Sequence, residues 1–258
     1  MEKEPILVEK KDMIGIITLN RPQEMNTFNV PFAAALNGAL RELDQDDDVR
    51  VVVIRAAGKH FSTGISLPEF NDKSPKELRE FLHKMDEFYH TIPRMKKPVI
   101  ASVKGFALAN GAGIVLASDL AVAAEDAKFG TTAINVGLIC LGPAVPLVRH
   151  VGRKKALEMV LTGDIISAQE AERLGLINKI VPPEELEDFT MKLAGKIAKK
   201  SPQAVQIGKT GIYGMSEVPY HQALDYADEL FASLCATADA REGIAAFVEK
   251  RKPVWKNI

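Results

Sequence analysis

Residues 98–113 read PVIASVKGFALANGAG. The first six are apolar apart from Pro98 and one serine, and the run is bounded by Lys104-Gly105, which predicts a strand buried on both faces, as parallel strands are. The segment ends in Asn110-Gly111-Ala112-Gly113, where the two glycines let the backbone turn tightly and approach a ligand. The same pattern occurs upstream. Val49 to Ala56 (VRVVVIRA) is again apolar on both faces and leads into a Gly/Ser/Thr-rich loop, His60 to Ser66 (HFSTGIS). Loops at the ends of such strands are where α/β proteins place backbone N–H donors. One N–H from each loop can converge on a single oxygen as it becomes negative, which is the chemistry of an oxyanion hole. A dinucleotide-binding reading of Gly111 and Gly113 fits poorly, because Leu116 stands where the third glycine would be and no N-terminal βαβ unit surrounds the loop.

Outward from these two segments the first half alternates β and α signals. Met13 to Leu19 predicts a strand stopped by Asn20-Arg21-Pro22, and Leu120 to Ala124 (LAVAA) predicts another. Phe32, Leu36, Leu40 and Leu43 recur at helical spacing, so a helix is expected over 28–44. Pro75 opens a second helix with Leu78, Leu82, Met85 and Phe88 on one face. The second half is helical, with helices expected over 142–150, 154–161, 167–174, 183–199, 201–235 and 238–250. Ser167 and Ser201 serve as N-caps. No linker divides the chain, so the expected fold class is one α/β core over 1–195 followed by a helical region over 196–258.

Composition removes several function classes. Lys+Arg number 33 and Asp+Glu 34, and a net charge of -1 provides no bulk attraction for nucleic acid or an anionic membrane. Two cysteines, Cys140 and Cys235, are too few for a disulfide framework or a thiolate zinc site, so a reducing compartment and a cytoplasmic location are expected, with no metal. The opening residues MEKEPILVEKKD lack the apolar core of a secretory signal. The longest apolar stretch, Gly105 to Ala124, is broken by Asn110, Ser118 and Asp119, so no membrane span is expected.

The ordered series Asn20-Arg21-Pro22 with Asn26, VVVIRAAGKHFSTG, KPVIASVKGFALANGAG, Ser118-Asp119 before LAVAA, Ala127 to Gly130, Val151-Gly152 with KKALEMVLTG, Ile166 to Ala171, Gly175-Leu176, and Phe247 with Glu249 to Arg251 resembles the crotonase family, the enoyl-CoA hydratase/isomerase superfamily. The resemblance implies a spiral of ββα units, a C-terminal region that forms trimers or dimers of trimers, and an acyl-CoA thioester as ligand, with coenzyme A part of the substrate and no further cofactor. It maps the oxyanion donors onto the backbone N–H groups of Ile65 and Ala112. It maps CoA contacts onto Glu24, Met25, Thr63, Gly64, Ile65, Ser66 and Leu67, and onto Phe247 and Lys250, often of an adjacent subunit. Gln23 stands near where the family often carries a basic residue, and Ser66 replaces a usual Asp.

The family's hydratases use two glutamates, one to activate water and one to deliver a proton. Here those positions are Val115 and Ala133, and neither can move a proton. Ordinary hydration is therefore not expected. Asp119, Cys140 and the face formed by His83, Glu87 and His90 are open as substitutes, and Asn135, His60 and Ser62 are candidate ligand contacts. The expected activity is enolate stabilisation in a divergent lyase or isomerase, such as a malonyl-type decarboxylase, where the departing CO₂ supplies the electrons. The alternative is a non-catalytic acyl-CoA binder on the same scaffold.

Overall fold

A computed structural model describes residues 4–257. Strand β1 (Ile6–Lys11) forms a hairpin with β2 (Ile14–Leu19), and α1 (Val30–Gln45) crosses to β3 (Val51–Ala56). Helices α2 (Pro75–Met85) and α3 (Glu87–Arg94) precede β4 (Val99–Val103), the short β5 (Phe106–Leu108) and α4 (Asn110–Ala117). There follow β6 (Leu120–Ala124), β7 (Lys128–Gly130), α5 (Leu141–Thr162), β8 (Ile165–Ser167), α6 (Ala168–Arg173), β9 (Lys179–Val181) and α7 (Leu186–Ala198). Helices α8 (Pro202–Met215), α9 (Tyr220–Cys235) and α10 (Ala238–Val248) end the chain.

The main sheet runs β1-β2-β3-β4-β6-β9, parallel from β2 onward, and a small second sheet is ordered β5-β7-β8. Alternation along the strands explains why VRVVVIRA is apolar throughout. Val51 and Val53 face Ala194 and Ala198 of α7, while Val52 and Ile54 face the larger core with Leu36, Leu40 and Phe88. Because α7 covers one sheet face, it belongs to the core although residue 195 lies within it. Helices α8 to α10 are added beyond it.

Three helical expectations change. The segment 201–235 is two helices, because the chain breaks at 216–219 and Pro219 caps α9. The helix opened by Pro75 stops at Met85 and resumes at Glu87, with Asp86 at φ -101°, ψ 2°. That interruption buries Phe81 and Met85, then Phe88 and Ile92, and leaves Leu82 exposed. Helix α5 runs through the two segments expected at 142–150 and 154–161, with Gly152 at φ +72° marking the joint.

Candidate active site

The loops after β3 and β5 abut backbone to backbone. A Cβ on Gly111 would stand 2.2 Å from the Ser62 carbonyl oxygen, and one on Gly64 would stand 2.6 Å from the Ala109 Cβ. Glycine at both positions is what allows this approach. The pairing is held by Ser62 N–H donating to Phe106 O at 3.0 Å and Leu108 N–H donating to Ser62 O at 2.9 Å. Phe28 secures the first loop from its other side. Its N–H donates to Gly64 O at 2.8 Å and its carbonyl accepts from Ser66 N–H at 2.9 Å. The Phe28 ring is fully buried against Phe32 and Phe88, so the loop is anchored to α1 and α3 by burial worth about 1.5–3 kcal/mol.

This pairing uses the Gly64 carbonyl and the Ser66 N–H, on either side of Ile65, and turns the Ile65 N–H the other way. Among the described residues the Ile65 N–H has no protein acceptor. Ala112 is the third residue of α4, and like those of Asn110 and Gly111 its N–H lies ahead of the first helical bond, Gly113 N–H to Ala109 O at 2.9 Å, and has no protein acceptor among the described residues. The helix N-terminus adds positive potential there. Ala109 enters α4 at φ +47°, ψ -122°, a conformation that costs an alanine about 1–3 kcal/mol, so the backbone at the site is strained. Two free amides on adjoining glycine loops at the carboxyl ends of parallel strands are the elements of an oxyanion hole.

The early loop joins the same rim. Buried Asn26 accepts from Arg21 N–H at 2.7 Å and donates to Ala57 O and His60 O at 3.0 and 2.9 Å. Ser62 Oγ donates to Asn26 O at 2.7 Å, and Thr63 N–H donates to Met25 O at 3.2 Å. Glu24, Met25 and the segment Thr63 to Leu67 are thereby brought together, with Met25 and Leu67 exposed at the rim. Ser62 is used up in this tie. Ser66 needs no carboxylate to hold it, because its backbone is bonded to Phe28. Phe247 and Lys250 lie instead at the end of α10, which packs on α9, and Phe247 is 85% exposed.

Val115 is buried and borders an apolar void with Ala112, Phe129, Gly130 and Leu147, which has room for one water at most. Ala133 lies beside Cys140. The Cys140 thiol is buried at the N-cap of α5 against the Ala133 backbone N–H, and burial pushes its pKa up, which disfavours the thiolate.

Several candidates have other work. Asp119 accepts from Val99 N–H at 2.7 Å, Lys209 Nζ at 2.7 Å and Tyr213 O–H at 3.0 Å. Lys209 Nζ also donates to Ile92 O and Lys97 O at 2.8 and 3.0 Å, so Asp119 tethers α8 to the core. His83 and His90 are exposed and fall on either side of the interruption at Asp86, while Glu87 pairs with Arg41. The three do not share one continuous helix face. Among the described residues no group of three or more His, Cys, Asp or Glu is placed to hold a metal ion. His60 stacks on Phe106 and accepts from Phe106 N–H through Nδ1 at 3.2 Å, and burial lowers its pKa, so it is neutral. His150 lies 3.2 Å from Leu116 O, and Asn135 donates to Gly163 O at 3.4 Å.

The side chains that enter this region from the second helical segment are Asp86 and Tyr89. Asn110 Nδ2 donates to Asp86 Oδ1 at 2.9 Å, and the Tyr89 ring packs on Phe88 beside Gly113. The available signal was spacing: Tyr89 follows Met85 by four residues and so borders the buried stripe.

Comparison with known proteins agrees with this fold. The family model for enoyl-CoA hydratase/isomerase matches residues 9–257. The mouse enoyl-CoA hydratase domain-containing protein 3, mitochondrial, is 38% identical over 99% of this chain and 86% of its own. A probable enoyl-CoA hydratase of Rhizobium meliloti is 37% identical over the whole of both chains. The crystal structure of an enoyl-CoA hydratase from Mycobacterium smegmatis superposes with a TM-score of 0.94 at 39% identity, covering 97% of this chain and 98% of that one. The protein is an α/β chain of the crotonase fold. It belongs to the enoyl-CoA hydratase/isomerase family.

Proposed function

We propose that this protein is an acyl-CoA enzyme that seats the thioester carbonyl on the Ile65 and Ala112 N–H groups and stabilises the enolate formed there. The observation that carries this reading is the set of acceptor-free N–H groups on two abutting loops, Ile65 on one and Ala112 on the other. The activity is a lyase or isomerase reaction other than two-glutamate hydration. Decarboxylation of a malonyl-type thioester asks least of the site. The C–C bond to the carboxylate breaks, CO₂ leaves, and its electron pair becomes the enolate that the two amides hold.

Coenzyme A is part of the substrate, and no resident cofactor is invoked. The rim of Glu24, Met25 and Thr63 to Leu67 receives its pantetheine and nucleotide. Phe247 and Lys250 reach the CoA of a neighbouring subunit. Ile212, Leu224, Phe231, Ile244, Phe247 and Val248 are exposed apolar residues of α8 to α10, which supports self-association as a trimer or hexamer.

The test is a panel of malonyl-, methylmalonyl-, 3-hydroxybutyryl- and crotonyl-CoA with light scattering on the same samples. Turnover of a malonyl-type ester with weak or absent hydration of crotonyl-CoA is expected. Hydration of crotonyl-CoA at rates usual for an efficient enzyme would refute the importance of Val115 and Ala133. Binding without turnover would make the protein a CoA-ester binder.

A further inference from the structure

One side-chain polar atom among the described residues is buried with no hydrogen-bond partner, the Tyr89 hydroxyl. It lies 1.7 Å from where a Cβ on Gly113 would be, so it rests on the backbone one residue beyond the Ala112 donor. An unpaired buried hydroxyl costs stability, and such groups concentrate where a ligand completes them. Asp86 approaches the same place. Its carboxyl takes a bond from Asn110 Nδ2, and both its oxygens lie 3.1 Å from where a Cβ on Gly142 would be. Asn110 and Gly113 are three apart on one face of α4. Asp86 and Tyr89 therefore lie against the helix turn that carries the Ala112 N–H, and against the first turn of α5, where Cys140 meets Ala133.

Asp86 differs from the structural carboxylate in the same protein. Asp119 receives three hydrogen bonds, whereas half-buried Asp86 receives one. Burial raises the Asp86 pKa, and His83, His90 and the Asn110 bond oppose that rise without cancelling it. Burial, with Asp86 and Cys140 adding to it, also holds the Tyr89 phenol protonated. Three titratable groups held toward their neutral forms around one backbone turn mark a proton-handling site.

We propose that Asp86 is the proton-carrying group of this protein and that the Tyr89 hydroxyl hydrogen-bonds the acyl portion of a thioester seated on the Ile65 and Ala112 amides. The interrupted helix α2–α3 then does the acid–base work for which positions 115 and 133 hold no acid. The inference rests on the acyl-CoA reading above. In the step, the Asp86 carboxyl O–H bond breaks and the enolate electron pair forms a C–H bond at the α-carbon. The negative charge passes from the thioester oxygen to Asp86, which takes a proton back from solvent. In reverse, the Asp86 carboxylate removes an α-proton.

The experiment measures exchange of the α-protons of butyryl-CoA in D₂O by proton NMR, with binding of the same ester by calorimetry. Wild-type protein, Asp86→Asn and Tyr89→Phe are compared at equal folding by circular dichroism. Exchange by Asp86→Asn is expected to fall about 100-fold or more while Kd changes less than about threefold. Tyr89→Phe, which deletes one oxygen, is expected to lose about tenfold in exchange, and it carries the test if Asp86→Asn does not fold. Exchange within threefold of wild type in the variant tested overturns the proposal. Wild-type binding without exchange also overturns it and leaves the acyl-CoA reading standing. Failure of wild-type protein to bind butyryl-CoA overturns both.

Discussion

Replacing Gly111 with alanine tests whether the two loops form one functional unit. The new Cβ would lie 2.2 Å from the Ser62 carbonyl oxygen and 2.7 Å from its carbon, both backbone atoms that no rotamer change can move. Non-bonded carbon–oxygen contacts settle at about 3.3 Å or more, so the loops must part by about 1 Å. Alanine gains up to about 1 kcal/mol over glycine in a helix, and overpacking costs about 1–3 kcal/mol, so the net loss of stability is at most about 3 kcal/mol. The functional loss is larger. A misplacement of about 1 Å costs about 100-fold in rate, and an oxyanion donor taken out of line costs about 100- to 1000-fold. Difference infrared spectroscopy of carbonyl-labelled butyryl-CoA reads the effect directly. Wild-type protein is expected to shift the thioester carbonyl stretch to lower wavenumber, because two donors lengthen the C=O bond. Gly111→Ala is expected to lose most of that shift and about 100-fold in turnover or α-proton exchange while still melting cooperatively. A folded variant that keeps the full carbonyl shift and works within threefold of wild type would show that the contact between Gly111 and Ser62 does not position Ala112.

Three further outcomes follow from packing and charge. Lys209→Met leaves Asp119 buried without its cation, and breaking a buried pair from one side costs about 3–5 kcal/mol, read as a lower midpoint in urea unfolding; a change under 1 kcal/mol would show that the pair contributes little to holding α8. Gly38→Ala, in the exposed middle of α1 with nothing within 4 Å of the new Cβ, is expected to stabilise by about 1 kcal/mol with activity unchanged, and destabilisation would contradict the open space seen there. Asp86 has a raised native pKa, so between the unfolded value of about 3.9 and the native value the folded chain keeps a proton that the unfolded chain releases. Wild-type stability therefore falls as pH climbs through that window. Asp86→Asn is expected to gain stability over wild type at pH 7 and not at pH 3, and equal differences at both would show that Asp86 does not titrate abnormally.

The parts of this protein legible in its sequence are those that depend on near neighbours in the chain. VRVVVIRA and PVIASV announce strands buried on both faces, because each must present apolar side chains to α7 and to the main core alike. Gly111 and Gly113 announce a tight turn and a close approach, because no other residue lacks a Cβ; that Ser62 and Tyr89 are what approach them is shown only by the fold. That Val115 and Ala133 carry no titratable group is likewise read at two positions of the sequence. Tertiary structure decided what required distance. Asp119 reads as a possible proton carrier until Lys209, 90 residues away, and Tyr213 close around it. His83, Glu87 and His90 read as one face until the chain is interrupted at Asp86. Asp86 and Tyr89 stand out from nothing around them in the sequence, and only the packing of α3 on α4 and α5 sets them against Asn110, Gly113 and Gly142. A side chain's chemistry is written at its own position, but its surroundings come from segments the chain brings together only on folding.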